Sequence, residues 1–211
     1  MSQAPQAAPA ADAARARVDA QARRAALVDA LWRVAVRDGL EAVTARSVAA
    51  EAGSSLGSVT RVFATQDELH AAALRRAVVT VRQRVADVPA TDDPCADALA
   101  QLAQVVPLSD ADRPEAAVCY AYLARSATVT ASPALRRAAD AVDSGLRGLC
   151  HRVVGSLAPA GVPFAERTRR AAELHALVEG LAFGLVTFGH RRSAAAAQAL
   201  LRGRLEQLAR P

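Results

Sequence analysis

Residues 44–69 read TARSVAAEAGSSLGSVTRVFATQDEL. The pattern predicts two short helices joined by a tight turn. Thr44 is a favourable N-cap residue, and apolar residues follow it at helical spacing. Gly53 ends this helix, because glycine adopts left-handed backbone angles at little cost. Ser54 and Ser55 then offer the N-cap of a second helix.

A third helix is expected close behind the second. Thr65 and Glu68 have the spacing of a capping box, in which each side chain bonds the backbone near the other residue. Three helix starts and two stops in so few residues predict a helix-turn-helix. This motif lays its second helix in the major groove of DNA.

The residues around this motif resemble the tetracycline-repressor-like (TetR) family of regulators. An amphipathic helix at 24–32 (RAALVDALW) is followed by a Gly-Leu step at 39–40 and the run VAAEAG at 48–53. A small-residue recognition helix then ends at Phe63. The resemblance covers residues 23–74, which correspond to the whole DNA-binding domain of that family.

The resemblance implies an all-α protein of about nine helices. Residues 15–65 would form the helix-turn-helix domain, and residues 66–211 a helical ligand-binding and dimerisation domain that starts with a connecting helix at 66–87. Breaks at Pro, Gly and Ser delimit further helices at about 94–106, 114–130, 133–157, 164–190 and 194–209.

The first residues differ from the rest in composition. Residues 1–14 are rich in Ala, Pro and Gln without apolar periodicity, which predicts a disordered tail. Basic residues follow the tail, and they either reach DNA or line the solvated face of a long first helix. These residues are Arg15, Arg17, Arg23 and Arg24.

Three positions depart from the family's pattern. Thr60 stands where relatives usually carry Tyr, Val62 where they carry His, and Gln66 where Lys commonly opens the fourth helix. The usual residues tend to contact phosphate, so their replacement removes charge and reach from the interface. Affinity and operator sequence therefore do not carry over from relatives.

Composition and charge permit nucleic-acid binding without proving it. The 211 residues carry a net charge of +5, and all 26 basic residues are Arg. Through Asp87 there are 12 Arg against 9 acidic residues, and beyond it 14 against 12. Because both parts are similarly basic, bulk charge does not locate a DNA-binding half.

Cysteine usage and hydropathy indicate the compartment. Cys95, Cys119 and Cys150 are far apart, which predicts reduced thiols and no metal centre or other cofactor. We find no charge-free run of about 18 apolar residues and no basic-then-apolar signal sequence. The sequence therefore predicts a cytoplasmic protein without a membrane partner.

Nine residues are expected to face double-stranded DNA. Arg61, the only charged side chain in the predicted recognition helix, could bind guanine through O6 and N7 or sit on a phosphate. Gly57 would let the helix backbone approach the duplex, or it is a tolerated weak spot. The hydroxyl residues either bind phosphate or simply cap helices. The set is Thr44, Arg46, Ser55, Leu56, Gly57, Ser58, Thr60, Arg61 and Gln66.

A ligand pocket is predicted around the segment CYAYLAR at 119–125. Its two Tyr residues combine an apolar ring with a polar tip, but they are two apart on a helix and cannot both face inward. Two histidines on other helices could meet a ligand, although a satisfied core or interface histidine is the commoner outcome. The candidate ligand-binding residues are Cys119, Tyr120, Tyr122, Leu123, His151 and His175.

The helix at 164–190 is a candidate dimer interface. Its apolar residues surround more of the helix than one core face needs, and three glycines would let a neighbouring helix approach. Two such helices per subunit can form a four-helix contact that matches the symmetry of a palindromic operator. A helix fully buried in a monomer is the alternative. The candidate interface residues are Leu177, Leu181, Phe183, Gly184 and Phe188.

These observations predict a homodimeric regulator, in this family most often a repressor, that binds a palindromic operator. An unknown small, largely apolar effector would release it by changing the spacing of two recognition helices from one turn of DNA, roughly 34 Å. A helical small-molecule-binding protein that has lost DNA recognition is the alternative. An enzyme is a third class, for which the sequence offers no nucleophile–base pair or phosphate loop.

Overall fold

The computed structural model describes residues 8–210, and every regular element within that range is helical. The all-α fold class is therefore confirmed. The helices are α1 (Ala8–Asp38), a short 3-10 helix (Leu40–Ala42), α2 (Ala45–Glu51), α3 (Leu56–Val62), α4 (Gln66–Ala86), α5 (Pro94–Leu102), α6 (Arg113–Ser126), α7 (Pro133–Leu157), α8 (Phe164–Phe188) and α9 (Ala194–Leu208).

The largest difference from the sequence prediction lies at the start of α1. This helix begins at Ala8, so residues 8–14 are helical where we predicted a disordered tail. Ala is the strongest helix former, so an Ala-rich segment can extend a helix without apolar periodicity. The rest of the predicted tail, residues 1–7, lies outside the described residues.

The chain divides into two compact units, residues 1–69 and 70–211. The division falls inside α4, whereas we predicted a domain boundary just before that helix. In the first unit α1 packs against α2. Its buried side chains include Trp32 of α1, Val48 of α2, Val59 of α3 and Phe63, the C-cap of α3. Burial of one such side chain contributes about 1.5–3 kcal/mol.

The α2–α3 turn has the geometry that the sequence predicts. Gly53 adopts φ +58°, and its N–H donates to the Ala50 carbonyl oxygen at 3.2 Å. The Ser54 N–H donates to the Ala49 carbonyl oxygen at 2.9 Å, which completes a Schellman motif. Ser55 caps α3, since its hydroxyl accepts from the Ser58 N–H at 3.2 Å.

In the second unit one apolar core joins α5, α7, α8 and α9. Leu102, Leu174, Leu201 and Leu205 are completely buried in it. Helix starts are set by side-chain caps from Asp93, Ser132 and Ser193. α7 runs against α8, and α6 and α9 also contact α8, so α8 is the central helix of this unit.

Among the helices of residues 8–210, α8 alone is long and apolar enough to cross a membrane by length and composition. The core helix of a soluble protein passes the same test. Leu174, Val178 and Leu185 are buried against neighbouring helices, so we assign the apolar character of α8 to internal packing.

Candidate functional site

The two sides of α3 differ in exposure. Val59 is fully buried on the inner side. The outer side presents Leu56, Gly57, Thr60 and Arg61, all of them exposed. This is the orientation expected of a recognition helix, whose inner side holds it to the domain while the outer side meets a duplex.

Some arginines of the first unit form hydrogen bonds or ion pairs within the protein, and others do not. Glu51 accepts from Arg33 Nε at 2.7 Å and from Arg37 Nη1 at 2.8 Å, and these hydrogen bonds lower the pKa of Glu51. In contrast, Arg46 and Arg61 are exposed and make no hydrogen bond or ion pair with any residue in 8–210. They are therefore free to contact phosphate or a base edge.

Arg24 is among the arginines that interact with other residues of the first unit. Its guanidinium carbon lies 4.6 Å from the centroid of the Phe63 ring, and Nη1 donates to the Val62 carbonyl oxygen at 3.2 Å. A cation over an aromatic face is stabilised by the ring quadrupole. Arg24 therefore connects α1 to the end of α3. Of the four arginines considered for a basic arm, it is the one that makes both a cation–π contact and a hydrogen bond to the backbone of α3.

The candidate phosphate-binding hydroxyls all make local bonds. Thr44 Oγ1 accepts from the Ser47 N–H at 3.1 Å, and the Ser55 and Ser58 hydroxyls lie 3.0 Å apart. Thr60 Oγ1 lies 3.2 Å from the Leu56 carbonyl oxygen, to which it donates. The capping interpretation is thus confirmed for Thr44 and Ser55, while phosphate contact by these hydroxyls stays a prediction.

The start of α4 differs in detail from the predicted capping box. Thr65 Oγ1 accepts from the Glu68 N–H at 3.1 Å, as expected. The Glu68 carboxylate, however, accepts from the Ala64 N–H at 2.8 Å, one residue earlier than the predicted partner. Gln66 is exposed, and its side-chain amide donates to the Val43 carbonyl oxygen. This contact ties Gln66 to the end of the 3-10 segment.

Gly57 has open space around it. A Cβ atom built on Gly57 would have its nearest contact at 3.9 Å, the Ser55 hydroxyl oxygen. The fold of the first unit therefore does not require glycine at this position. A requirement for glycine there would have to come from a partner that approaches the helix backbone.

In the second unit the two tyrosines of α6 have different environments, as their spacing predicts. Tyr122 is completely buried, and its hydroxyl has no hydrogen-bond partner within residues 8–210. Tyr120 is half-buried, and its ring meets Phe183 edge-on with centroids 5.7 Å apart. Burial raises the pKa of Tyr120 to about 12 and that of Tyr122 further. Tyr122 is therefore the inward-facing tyrosine.

His70 accompanies Tyr122, although sequence reasoning did not select it. The two ring centroids lie 5.4 Å apart, and His70 is only 3% exposed. His70 lies one helical turn into α4, and a buried histidine inside an apolar helical run is the signal that could have identified it.

The other candidate ligand residues are not equally placed. Cys119 and Leu123 are half-buried, and burial raises the pKa of the Cys119 thiol to about 11. His175 is buried, whereas His151 is exposed on α7. His151 points away from the core because the buried side of α7 at this level is formed by Cys150 and its neighbours. Ligand contact by either histidine stays a prediction.

The predicted interface residues of α8 divide in the same way. Phe183 is 50% exposed and Phe188 43% exposed. Leu177 is half-buried, whereas Leu181 and Gly184 are buried within the subunit. Gly184 lies under the side chain of Arg192, since a Cβ atom built there would come within 3.1 Å of it. Leu181 and Gly184 therefore lie beneath the exposed surface of α8 and are not part of it.

The exposed side of α8 forms a stripe that we call the α8 outer face. Its members are exposed, mostly small or apolar, and three or four residues apart, so they share one side of the helix. Gly180 has no atom within 4 Å of a built Cβ. Leu200 of α9 is 58% exposed beside the end of α8. The α8 outer face consists of Ala172, Ala176, Gly180, Phe183 and Thr187.

Comparisons with known proteins agree with this architecture. Residues 94–210 match the family described as BetI-type transcriptional repressor, C-terminal. The HTH-type transcriptional regulator PksA of Bacillus subtilis (strain 168) is 32% identical over 168 residues, which cover 78% of this chain and 79% of that protein.

Solved structures show the same similarity. A transcriptional regulator from Rhodococcus sp. Rha1 is 31% identical, with a TM-score of 0.73 over 88% of this chain and 95% of that one. The multidrug binding protein EbrR, solved with ethidium, is 30% identical, with a TM-score of 0.65 over 87% and 98%.

The helix-turn-helix and the helical second unit define a DNA-binding transcriptional regulator. The chain belongs to the TetR family of transcriptional regulators, with a C-terminal domain of the BetI type. The predictions of the family, the fold and a transcriptional regulator are thus confirmed.

Proposed function

We propose that this protein is a homodimeric repressor that binds a palindromic operator in the cytoplasm and is released by a small, largely apolar effector. The observation that carries the proposal is the outer side of α3, where Arg61 is exposed and makes no hydrogen bond or ion pair within residues 8–210.

DNA recognition is assigned to α3 and the start of α2. Arg61 has the reach and the planar donors to bind guanine O6 and N7 in the major groove. Arg46, in the first turn of α2, supplies a second unpaired positive charge for the phosphate backbone. The loss of the family's usual Tyr, His and Lys leaves these two arginines as the main long donors of the motif.

Dimerisation is assigned to the α8 outer face. It exposes the ring of Phe183 beside small residues, and Gly180 leaves space for a neighbouring helix. The occupant we propose is the same face of a second copy, because a two-fold contact of this kind presents two α3 helices to the half-sites of a palindrome.

The effector site is assigned to the interior beside Tyr122. A buried hydroxyl without a partner costs about 1–3 kcal/mol, whereas phenylalanine would carry no such cost. A ligand that supplies the missing hydrogen bond would account for tyrosine at this position. The half-buried Cys119 and Leu123 provide apolar contacts on the same helix. EbrR, which is similar over most of its length, is solved with ethidium, an aromatic molecule that carries amino groups.

Operator binding is tested by selecting sequences from a random duplex pool with the purified protein. We expect a symmetric motif whose half-sites are one turn apart, roughly 34 Å. Enrichment of no motif, or of one without symmetry, would contradict the proposal and favour a ligand-binding protein that no longer recognises DNA.

Effector binding is tested with ethidium as the probe, in a fluorescence titration without DNA. Removing an unsatisfied hydroxyl does not weaken the fold, so Tyr122→Phe is a clean variant. We expect it to bind ethidium about tenfold more weakly, since a lost hydrogen bond is worth about 1 kcal/mol. Equal affinity would exclude the Tyr122 hydroxyl from the site, and no saturable binding to the wild type would exclude this class of effector.

A further inference from the structure

A second group of polar side chains in the second unit lies outside the proposed effector site. His175 of α8 is 8% exposed, and its Nε2 atom is buried without a hydrogen bond. Two carboxylates flank the ring. Nε2 lies 3.5 Å from Asp143 Oδ1 of α7, and Nδ1 lies 3.7 Å from Glu179 Oε2, one turn further along α8.

The distances in this group are too long for hydrogen bonds. An N–H···O bond has a donor–acceptor distance of about 2.7–3.2 Å, so neither ring nitrogen is bonded to a carboxylate. The His175 ring nitrogens and the carboxylate oxygens of Asp143 and Glu179 therefore lie close together without forming hydrogen bonds.

The 3.5 Å between His175 Nε2 and Asp143 Oδ1 suits two ligands that share a cation. Two ligand atoms at about 2.1 Å from a tetrahedral metal ion are roughly 3.4 Å apart. One nitrogen of His175 and one oxygen from each of Asp143 and Glu179 lie within 4.8 Å of one another. The Glu179 side chain is 52% exposed, so it can rotate to shorten the longer separations.

Arg147 orients one of the carboxylates. Its Nη2 atom donates to Asp143 Oδ2 at 2.6 Å, and this leaves Oδ1 directed toward His175. A ligating carboxylate is commonly held in this way by a residue that does not touch the metal. The exposed sides of Asp143 and Glu179 provide a route for an ion from solvent.

We propose that Asp143, His175 and Glu179 bind one divalent transition-metal ion, such as Zn²⁺, between α7 and α8. One imidazole nitrogen and two carboxylate oxygens are ligands that Zn²⁺, Co²⁺ and Ni²⁺ accept. Water would complete the coordination sphere on the exposed side. The site goes beyond the proposed function and does not depend on DNA or on the effector.

The test is calorimetric titration of Zn²⁺ into the full chain, without a histidine tag and after treatment with chelator, at pH 7. We expect one Zn²⁺ per chain. Glu179→Gln and Asp143→Asn keep the size of each side chain but remove a charged ligand, and each is expected to weaken binding at least tenfold. His175→Gln is expected to abolish binding.

The matched control is His190→Gln, which removes an exposed histidine beyond the end of α8. It should bind Zn²⁺ as the wild type does. Because His175 is buried, its variant could fail to fold, whereas Asp143 and Glu179 are partly exposed and their variants keep the assignment testable. Circular dichroism checks the fold of each protein.

Cobalt provides a second readout that a merely structural role would not affect. Co²⁺ bound by imidazole and carboxylate gives visible absorption bands, and these should be absent in Glu179→Gln and Asp143→Asn. The proposal is overturned if the wild type binds no Zn²⁺, or if the two carboxylate variants bind it as tightly as the wild type. Binding that is lost only in Cys150→Ser would overturn it too, because the ligand would then be the buried thiol.

Discussion

α3 and α8 both expose one side to solvent, but the chemistry of the two surfaces differs. The outer side of α3 is small and polar apart from Leu56, and it carries the unpaired guanidinium of Arg61. The α8 outer face is small and apolar around Phe183. α3 has 7 residues and α8 has 25, so the first is positioned mainly by its neighbours while the second has a long buried side of its own.

The difference indicates the kind of partner for each surface. An exposed arginine without a carboxylate partner suits a polyanion, because each phosphate it neutralises releases counterions. An exposed phenylalanine among small residues suits another protein surface, since burial of apolar area is favourable and close packing needs small neighbours. The two surfaces can therefore be disrupted separately.

The largest effect is expected for Phe183→Arg. A charge in the α8 outer face would be buried without a partner in the dimer, at a cost of several kcal/mol. We expect folded monomers that no longer bind the palindrome. Light scattering measures the mass and circular dichroism the helix content. Phe164→Arg, at a 77% exposed phenylalanine at the start of α8, is the control and should remain dimeric.

Gly184→Arg distinguishes a buried position of α8 from the exposed position of Phe183. Gly184 is buried beneath Arg192, so this substitution should destabilise the subunit itself and not only the dimer. If Phe183→Arg yields a normal dimer, the α8 outer face is not the interface.

Arg61 is expected to have the next largest effect. Arg61→Ala should weaken operator binding by about 1–3 kcal/mol and relax the preference at one base pair in each half-site. Arg61→Lys keeps the charge but loses the bidentate geometry, so it should retain the salt dependence and lose the base preference. Fluorescence anisotropy at matched salt measures the operator affinity and the base preference of each variant, and a salt series measures the salt dependence. Unchanged affinity for Arg61→Ala would remove this residue from the interface.

Gly57→Ala separates the needs of the fold from those of the DNA. A methyl group fits at this position in the protein, and Ala is favoured over Gly in a helix by about 1 kcal/mol. We expect a more stable protein that binds its operator roughly tenfold more weakly, because the methyl group would meet the duplex. Thermal unfolding measures the stability, and fluorescence anisotropy measures the operator affinity. A stabilised variant with full affinity would show that α3 does not approach DNA at Gly57.

Gln66→Lys should have the smallest effect. The substitution restores the positive charge that relatives commonly carry and removes the amide that bonds the Val43 carbonyl oxygen. We expect slightly tighter binding to all sequences and a salt dependence steeper by close to one unit for each bound subunit. A slope equal to that of the wild type would mean that position 66 does not face a phosphate.

The sequence predicts the α2–α3 turn and the helix starts better than the contacts between helices, because the signals for turns and caps are local. The Gly53 turn, the Thr44 and Ser55 caps and the buried Val59 each depend on a few neighbouring residues. The start of α7 in the second unit is predicted for the same reason, from Ser132 and Pro133. Capping residues and glycine act within one turn of helix, so they can be recognised from spacing alone.

Contacts between distant helices could not be predicted in this way. His70 meets Tyr122 across more than fifty residues of chain, and the group formed by Asp143, His175 and Glu179 joins α7 to α8. The packing of neighbouring helices also determines which residues of a repeating apolar pattern are buried and which are exposed. Periodicity alone does not separate the exposed Phe183 from the buried Leu181, because α8 is apolar on several sides.

The most direct test of the account is the mass of the complex between the protein and its selected operator. Native mass spectrometry should find two chains, each of 21.9 kDa, on one palindromic duplex, and no complex when one half-site is scrambled. A single chain on the palindrome, or equal binding to the scrambled duplex, would contradict a dimer that reads DNA through two copies of α3.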